Sequence, residues 1–155
     1  MKRSGLTIVE LLVLLAVLSV LLSVAWAAAR PDNTHRAAQA VRAAILWARA
    51  NAIWRGVSVA VTDLGTGAGF EVRAATTGAA PCSGGAQLLQ MRVAEHPGVS
   101  VLAGLPRGLV WLPDGSGRSC DGGGVISATI RLRGARHAVN VVVSSLGRVR
   151  LETAP

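Results

Sequence analysis

A single carboxylate lies inside the longest apolar run of the chain. The run extends from Leu6 to Ala29, and Glu10 is its only charged residue. As a helix, this segment would be about 36 Å long, which is enough to cross a bilayer. A charged side chain in such a segment costs roughly 2.5–3.5 kcal/mol on insertion scales and usually marks a functional contact. Glu10 therefore requires a cationic partner.

The start of the run offers that partner. Cleavage of the chain after Gly5 would turn the amino group of Leu6 into a new N-terminus. Glu10 follows Leu6 by one helical turn, so the amine and the carboxylate would lie on the same face of the helix. The spacing favours an ion pair between these two groups.

A second group of charged residues lies in the last third of the chain. From Gly122 to Arg150 the sequence has no carboxylate and five arginines, Arg131, Arg133, Arg136, Arg148 and Arg150. On strands, residues two apart share a face, so the first two arginines form one pair and the last two another. Paired guanidinium groups could follow a phosphate backbone, because each binds phosphate in a bidentate way. The same alternation fits the solvated outer faces of strands whose inner faces are aliphatic, and both interpretations stay open.

The charge balance agrees with an anionic partner. The full chain has a formal net charge of +8, from 16 Lys and Arg against 8 Asp and Glu. Without Met1–Gly5, which contains Lys2 and Arg3, 14 basic residues, all arginines, face the same 8 acids, and the side-chain charge is +6. This balance favours polyanions such as nucleic acid or anionic lipid headgroups. An excess of Arg, Ala and Gly also arises from GC-rich coding.

The residues that catalysis requires are not grouped. The acids of the globular part are scattered among turns and strand ends, without the paired spacing of an acid and a base. No serine or cysteine stands in a recognised nucleophile context, and no histidine lies at ligand spacing from a cysteine. The glycine-rich segment Gly65–Gly69 lacks a following lysine and helix, so we interpret it as a turn. We therefore expect no catalytic residues, no metal site and no cofactor.

Cys82 and Cys120 are the only cysteines. If the apolar run places the following domain outside the cytoplasm, a disulfide is favoured over two free thiols. The bridge would close a loop of 37 intervening residues, which is worth roughly 3–4 kcal/mol in the chain-entropy model. We interpret the pair as a structural disulfide.

Two helices are expected in the first third of the chain. The apolar run forms the first, and Pro31 removes a helical hydrogen bond after it, so we expect a kink or short break there. From 34 to 55, apolar residues recur at i, i+3 and i+4, which predicts an amphipathic helix. Trp47 and Trp54 lie seven residues apart on this helix, and we interpret them as packing residues.

The remainder of the chain has the pattern of β-structure. About eight short strands with turn signals at close intervals predict an antiparallel sandwich or a pair of sheets. The expected strands are 57–62, 70–73, 87–93, 99–102, 109–112, 125–132, 138–143 and 148–151. The chain is therefore expected to be α+β, with a short leader at 1–5, a transmembrane and assembly helix at 6–29 and one globular domain at 30–155.

The N-terminus resembles the class III signal of type IV pilins and type II secretion pseudopilins. The resemblance rests on Gly5-Leu-Thr-Ile-Val-Glu10 between a basic leader and the apolar run. In these families a membrane prepilin peptidase cuts after the glycine and methylates the new amine, here that of Leu6. The glutamate, here Glu10, pairs with the N-terminal amine of a neighbouring subunit in a filament. The family most often has Phe where this chain has Leu6.

Two further interpretations of the N-terminus stay open. Ala25-Trp26-Ala27 and Ala27-Ala28-Ala29 look like cleavage sites of an ordinary secretory signal peptide. The apolar region of such a peptide is roughly 7–15 residues long, however, and this run is longer. A plain membrane anchor would have no need of Glu10.

Three more segments resemble the GspH/FimT family of minor pilins and pseudopilins. They are the helix Ala44–Arg55 with the strand after it, Trp111-Leu-Pro-Asp-Gly115, and the ending Val141–Arg150. The resemblance implies an N-terminal helix packed on an antiparallel β-sandwich, in a low-abundance component of a pilus or pseudopilus. Some FimT-like members bind DNA through a C-terminal Gly-Arg-x-Arg motif, which Gly147-Arg-Val-Arg150 matches.

Together these resemblances imply a minor pilin of a type IV pilus. We expect a single-pass inner-membrane protein with a periplasmic domain, which assembles with other pilins and supports binding and uptake of double-stranded DNA in natural transformation. Gly147 and the five arginines would contact DNA without reading its sequence. The alternative is a minor pseudopilin of a type II secretion system, and a membrane-anchored periplasmic enzyme is a third, disfavoured possibility because no catalytic group is recognised.

Processing of the leader can be tested directly. Because cleavage after Gly5 creates the amine that Glu10 needs, mass spectrometry of the mature protein should find Leu6 as the first residue, with its amine methylated. A mature protein that begins near Ala28 or Arg30 would contradict the pilin-type signal and support an ordinary signal peptide.

Overall fold

The computed structural model divides the chain into two compact units, Met1–Pro31 and Asp32–Pro155. The structure describes residues 8–28, 33–65, 67–76, 80–105, 107–122, 124, 127–144 and 146–154. The leader and the predicted break at Pro31 therefore lie outside the described residues.

Helix α1, Ile8–Ala28, contains most of the apolar run. Within the described part of the chain it is the one helix long and apolar enough to cross a membrane, with Ile8–Ala25 as the qualifying window. Its two serines do not break the apolar character of the helix. The Ser19 and Ser23 hydroxyls donate to the carbonyl oxygens of Ala16 and Val20, at 2.8 and 2.7 Å, so their polar groups are paired within the helix.

Helix α2, Asn33–Arg55, confirms the helix predicted at 34–55. Alanines dominate its buried face, and their small side chains let the backbone of the helix approach the sheets closely. At its start, Asn33 Nδ2 donates to the Pro97 carbonyl oxygen at 3.1 Å. The buried residues are Thr34, Ala37, Ala38, Val41, Ala44, Ile45, Ala48 and Ala52.

Nine strands in two antiparallel sheets follow α2 in the described residues. The five-stranded sheet has the order β3-β2-β1-β5-β6, and the four-stranded sheet has the order β4-β7-β8-β9. A short 3₁₀ helix, Val93–Glu95, follows β3. The strands are β1 Val59–Asp63, β2 Gly69–Ala74, β3 Ala86–Arg92, β4 Ser100–Ala103, β5 Leu109–Trp111, β6 Gly117–Ser119, β7 Ala128–Arg133, β8 Ala138–Val143 and β9 Val149–Ala154.

One hydrophobic core joins α2 to both sheets. Helix α2 packs against β1 and β5 of the first sheet and against β7, β8 and β9 of the second. Alternate residues of each strand face this core, as the period of two requires. The largest fully buried side chains are Trp111, Phe70, Ile45, Leu109, Ile130 and Leu132. The predicted α+β class, with a helix on antiparallel sheets, is confirmed.

The strand predictions differ from the structure most clearly at β6 and β9, while β1 and β7 begin two and three residues later than predicted. Strand β6 was not predicted, because Gly117-Arg-Ser119 has no hydrophobic alternation and its pairing with β5 depends on the tight turn between them. The last strand continues to Ala154 instead of ending at Leu151, because it pairs with β8 along its whole length.

A disulfide joins Cys82 to Cys120, with 5.9 Å between their Cα atoms. Cys82 precedes β3 and Cys120 directly follows β6, so the bridge links segments next to the two edge strands of the five-stranded sheet. Both cysteines line a depression with Thr62, on the face of that sheet opposite Val61. The disulfide therefore holds a loop over the face of the sheet that α2 does not cover.

Candidate functional site

Four of the five predicted arginines lie on one face of the four-stranded sheet. In the register of the strands, Arg131 is opposite Asn140, and Arg133 is opposite Ala138. Arg150 is opposite Val142 on the other side of β8. Arg148 precedes Arg150 by two residues and is exposed like the others. The side chains between them, such as Ile130 and Leu132, are fully buried.

The fifth arginine, Arg136, lies in the β7–β8 turn. With Arg131, Arg133 and His137 it lines an open depression of about 490 Å³, to which Gly134 and Ala138 also contribute. Among the described residues, no side-chain carboxylate lines this depression. We call Arg131, Arg133, Arg136 and His137 the turn cluster, and Arg148 with Arg150 the β9 pair.

The turn cluster begins at the β7–β8 turn and the β9 pair at the β8–β9 turn, although the rows of Arg131 and Arg150 are only two residues apart along the strands. Gly134, inside the turn cluster, lies against Thr34 in the first turn of α2, where any side chain would overlap the threonine hydroxyl. Gly147, next to the β9 pair, lies against Arg49, and Arg49 NH1 donates to its carbonyl oxygen at 3.1 Å. Thr34 and Arg49 are separated by about 22 Å along α2, at roughly 1.5 Å per residue.

Polar residues separate the two groups of arginines. Glu152 lies two residues beyond Arg150 on the same face of the sheet, opposite Asn140. On the other side of Asn140, Arg131 Nε donates a hydrogen bond to Asn140 Oδ1 at 3.3 Å. A carboxylate at this point repels a phosphate chain that would run along the sheet. The structure therefore provides two basic sites in place of one continuous path.

Arg49 is the site residue that the sequence did not identify. Its Nε donates to the Gly115 carbonyl oxygen at 3.0 Å, in the turn between β5 and β6, while NH1 binds the β8–β9 turn at Gly147. Its guanidinium carbon lies 5.3 Å from the centre of the Trp111 ring, within the range of a cation–π interaction. One partly buried side chain thus ties α2 to both sheets, and no sequence spacing marks it.

The motif glycine, Gly147, has a structural role in this arrangement. Its φ of +75° is in the left-handed region, which favours glycine. A methyl carbon placed on it would lie 3.0 Å from both Arg49 Cζ and Trp111 Cζ3. Gly147 faces the protein interior, whereas Arg148 and Arg150 face solvent.

The outer face of α2 differs from the prediction. Trp47 and Trp54, predicted as packing residues, are 41% and 83% exposed, so that interpretation is wrong. Leu46 and Ile53 are exposed on the same side of the helix. The period of 3.6 places the core residues of α2 on the opposite side. In its second half, α2 is therefore apolar on both faces, and the outer one has no cover among the described residues of this chain.

The remaining predicted site residues lie at the N-terminus. Glu10 is in the first turn of α1 and its side chain is on the surface of the helix. Gly5 and Leu6 lie outside the described residues. Across the described ranges, no group of three His, Cys, Asp or Glu side chains could hold a metal ion. In the turn between β5 and β6, hydrogen bonds from the Ser116 hydroxyl and backbone N–H lower the pKa of the Asp114 carboxyl.

Comparisons with known proteins agree with this architecture. The family described as type II transport protein GspH matches residues 37–147. The fold is similar to that of the minor pseudopilin EpsH from the Type 2 Secretion System of Vibrio cholerae, with a TM-score of 0.58, 17% identity, and coverage of 79% of this chain and 98% of that chain. It is also similar to the type IV minor pilin FimU of Pseudomonas aeruginosa, with a TM-score of 0.57, 15% identity, and coverage of 77% and 87%. None of the curated proteins compared with the chain matches it.

Substitution of Gly147 tests its structural role. Gly147→Ala should lower the free energy of unfolding by about 2–3 kcal/mol, because the new methyl group meets Arg49 and Trp111 in addition to the backbone strain. Denaturant unfolding of the protein measures this loss.

Gly98→Ala is the matched control. Gly98 has a φ of +80°, and a Cβ added to it would meet nothing within 4 Å, so this variant carries the backbone cost alone and should lose about 1 kcal/mol. Equal losses in the two variants would contradict the packing role assigned to Gly147.

Proposed function

The chain belongs to the GspH family, and we propose that it is a minor pilin of a type IV pilus that supports pilus assembly and the binding and uptake of DNA. In this proposal α1 anchors the newly made protein in the inner membrane, with the globular domain in the periplasm. The protein acts by assembly and binding and not as an enzyme. The observation that supports its DNA-binding part is the exposed β9 pair.

Assembly would begin at the N-terminus. A prepilin peptidase would remove residues 1–5 and methylate the amine of Leu6. Glu10, in the first turn of α1, would then accept an ion pair from the N-terminal amine of a neighbouring subunit. A charge inside an apolar helix is stable in lipid or in a helical bundle only when it is paired. This contact would therefore set the axial offset between neighbouring helices.

The outer face of α2 would supply a second assembly contact. Its exposed side chains, Leu46, Trp47, Ile53 and Trp54, form an apolar surface of the kind that marks protein contacts. Large aromatic side chains are enriched among the residues that carry most of the energy of an interface. In the proposed filament, this surface packs against neighbouring pilin subunits.

Removal of the two tryptophans tests that contact. Because both side chains are exposed, Trp47→Ser with Trp54→Ser should leave the melting temperature of the protein within a few degrees of the wild type. The same variant should lose most of its incorporation into sheared filaments, as measured by quantitative immunoblotting. Leu146→Ser, which removes another exposed apolar side chain, is the control. Normal incorporation of the double variant would reject this surface as an assembly contact.

DNA binding would depend on Arg148 and Arg150. They are two residues apart on β9, which places their Cα atoms about 7 Å apart on one face. Strand β9 is an edge strand, so a duplex can approach both guanidinium groups from the side as well as from the front. Both would bind phosphate oxygens in a bidentate way. Because phosphate contacts contain no sequence information, the binding would be non-specific.

The alternative is a minor pseudopilin of a type II secretion system. It shares the anchor, the processing site and the assembly contacts, and its basic face would contact partner subunits or exported cargo instead of DNA. The genes next to this one distinguish the two, since a pilus and a secretion system require different companion proteins. The scattered acids and histidines give no reason to prefer an enzyme.

The salt dependence of DNA binding tests the β9 pair. Each phosphate contact contributes about −0.9 to the slope of log K against log salt concentration. Arg148→Gln with Arg150→Gln should therefore weaken binding to double-stranded DNA and make this slope less steep by roughly 1.8. Electrophoretic titrations across a range of salt concentrations measure both quantities.

Arg92→Gln with Arg118→Gln removes the same charge from exposed positions of the other sheet and serves as the control. If both double variants change affinity and slope equally, binding depends on net charge alone, and the assigned contact is wrong. If the wild type does not bind DNA at low salt, the pseudopilin alternative is favoured.

A further inference from the structure

We propose that the turn cluster binds the anionic headgroups of the membrane in which α1 is inserted, before the subunit enters a filament. The proposal rests on the membrane insertion proposed above. It assigns Arg131, Arg133 and Arg136 to lipid and leaves the β9 pair to DNA. The juxtaposition that supports it is the contact of the β7–β8 turn with the first turn of α2.

The covalent chain limits how far the turn cluster can lie from the bilayer. Five peptide links join Ala28, the last residue of α1, to Asn33, the first residue of α2. Fully extended, they span at most about 18 Å. Gly134 lies against Thr34, one residue after Asn33. The turn that contains the cluster is therefore fastened to the part of the globular domain nearest to the membrane along the chain.

The β9 pair has no such constraint. Its turn is held by Arg49, which is about 22 Å farther along α2 than Thr34. The surface potential of an anionic bilayer falls off within a Debye length, about 8 Å at physiological ionic strength. In the register of the strands, Arg150 and Arg148 lie four and six residues farther from the β7–β8 turn than Arg133, roughly 13 and 20 Å, so a bilayer that meets this turn acts mainly on the turn cluster.

The chemistry of the turn cluster suits lipid phosphate. Its three guanidinium groups line an open depression to which no side-chain carboxylate of the described residues contributes, and a guanidinium group can donate to phosphate oxygens in a bidentate way. His35 and Arg36, in the first turn of α2, are exposed close to Thr34 and add donors at the same end of the domain. Glu152 and Asn140 separate this site from the β9 pair, which favours a compact headgroup at the turn over a phosphate chain that runs between the two sites.

The fluorescence of a label in the turn tests this inference on the full chain. The Ala135→Cys variant is labelled with a membrane-impermeant fluorophore. It is then inserted into vesicles of phosphatidylcholine and phosphatidylglycerol that have a quencher attached to the lipid headgroups. Ala135 is exposed within the turn, so strong quenching is expected. Leu146→Cys, labelled in the β8–β9 turn, should be quenched little. Vesicles of phosphatidylcholine alone should reduce the quenching at residue 135.

The second part of the experiment removes the charge of the turn cluster. Each arginine near an anionic surface contributes a factor of about five to binding, so Arg131→Gln, Arg133→Gln and Arg136→Gln together should lower the ratio of docked to undocked protein about 100-fold. Arg55→Gln, Arg92→Gln and Arg118→Gln remove the same charge from exposed positions elsewhere and should leave quenching unchanged.

The outcomes separate this inference from the proposed function. Protein that carbonate extracts from the vesicles is not inserted, which contradicts the anchor itself. Inserted protein whose label at residue 135 is unquenched, or is quenched equally after removal of the three arginines, overturns the lipid contact alone. A triple variant that keeps its quenching but loses as much DNA affinity as the β9 variant would assign the turn cluster to DNA.

Discussion

The guanidinium group of Arg49 is the contact on which the arrangement of this domain depends. A helix that packs on two sheets needs an interaction that fixes both sheets at once, and the buried face of α2 consists mainly of alanines, with Val41 and Ile45 as its larger apolar side chains. Arg49 meets that need with two hydrogen bonds to turn carbonyls and a position over Trp111. A partly buried charge is stable there because carbonyl oxygens and an aromatic face replace the water that it loses.

Much of the fold follows from sequence periodicity. The helix from Asn33 to Arg55 and the hairpin of β1 and β2 have clear periods of 3.6 and 2, and both formed as expected. The pattern could not locate β6, whose three residues pair only because the preceding turn returns the chain. Nor could it separate the two faces of α2, because the sequence pattern does not show whether an apolar side chain is buried in the core or exposed on the outer face.

The candidate site, like the fold, could be predicted from the sequence only in part. Alternation along β7 and β9 was enough to put Arg131 with Arg133 and Arg148 with Arg150 on solvated faces. It contained no information on the distance between the pairs, which depends on the register of β7, β8 and β9. Arg42 and Arg49 lie seven residues apart on α2, and the sequence pattern does not distinguish them. In the fold Arg42 is exposed, whereas Arg49 reaches the carbonyl oxygens of both Gly115 and Gly147.

The disulfide would have a mechanical consequence in the proposed filament, wherever a subunit is pulled. It joins positions 38 residues apart, on either side of a sheet whose strands would otherwise separate one by one. Those residues cannot add their length to a stretched chain, which shortens its maximum extension by about 130 Å. A pulled subunit would then transmit force through the bridge, and the β5–β6 pair, which lies wholly within the closed loop, would bear none of it.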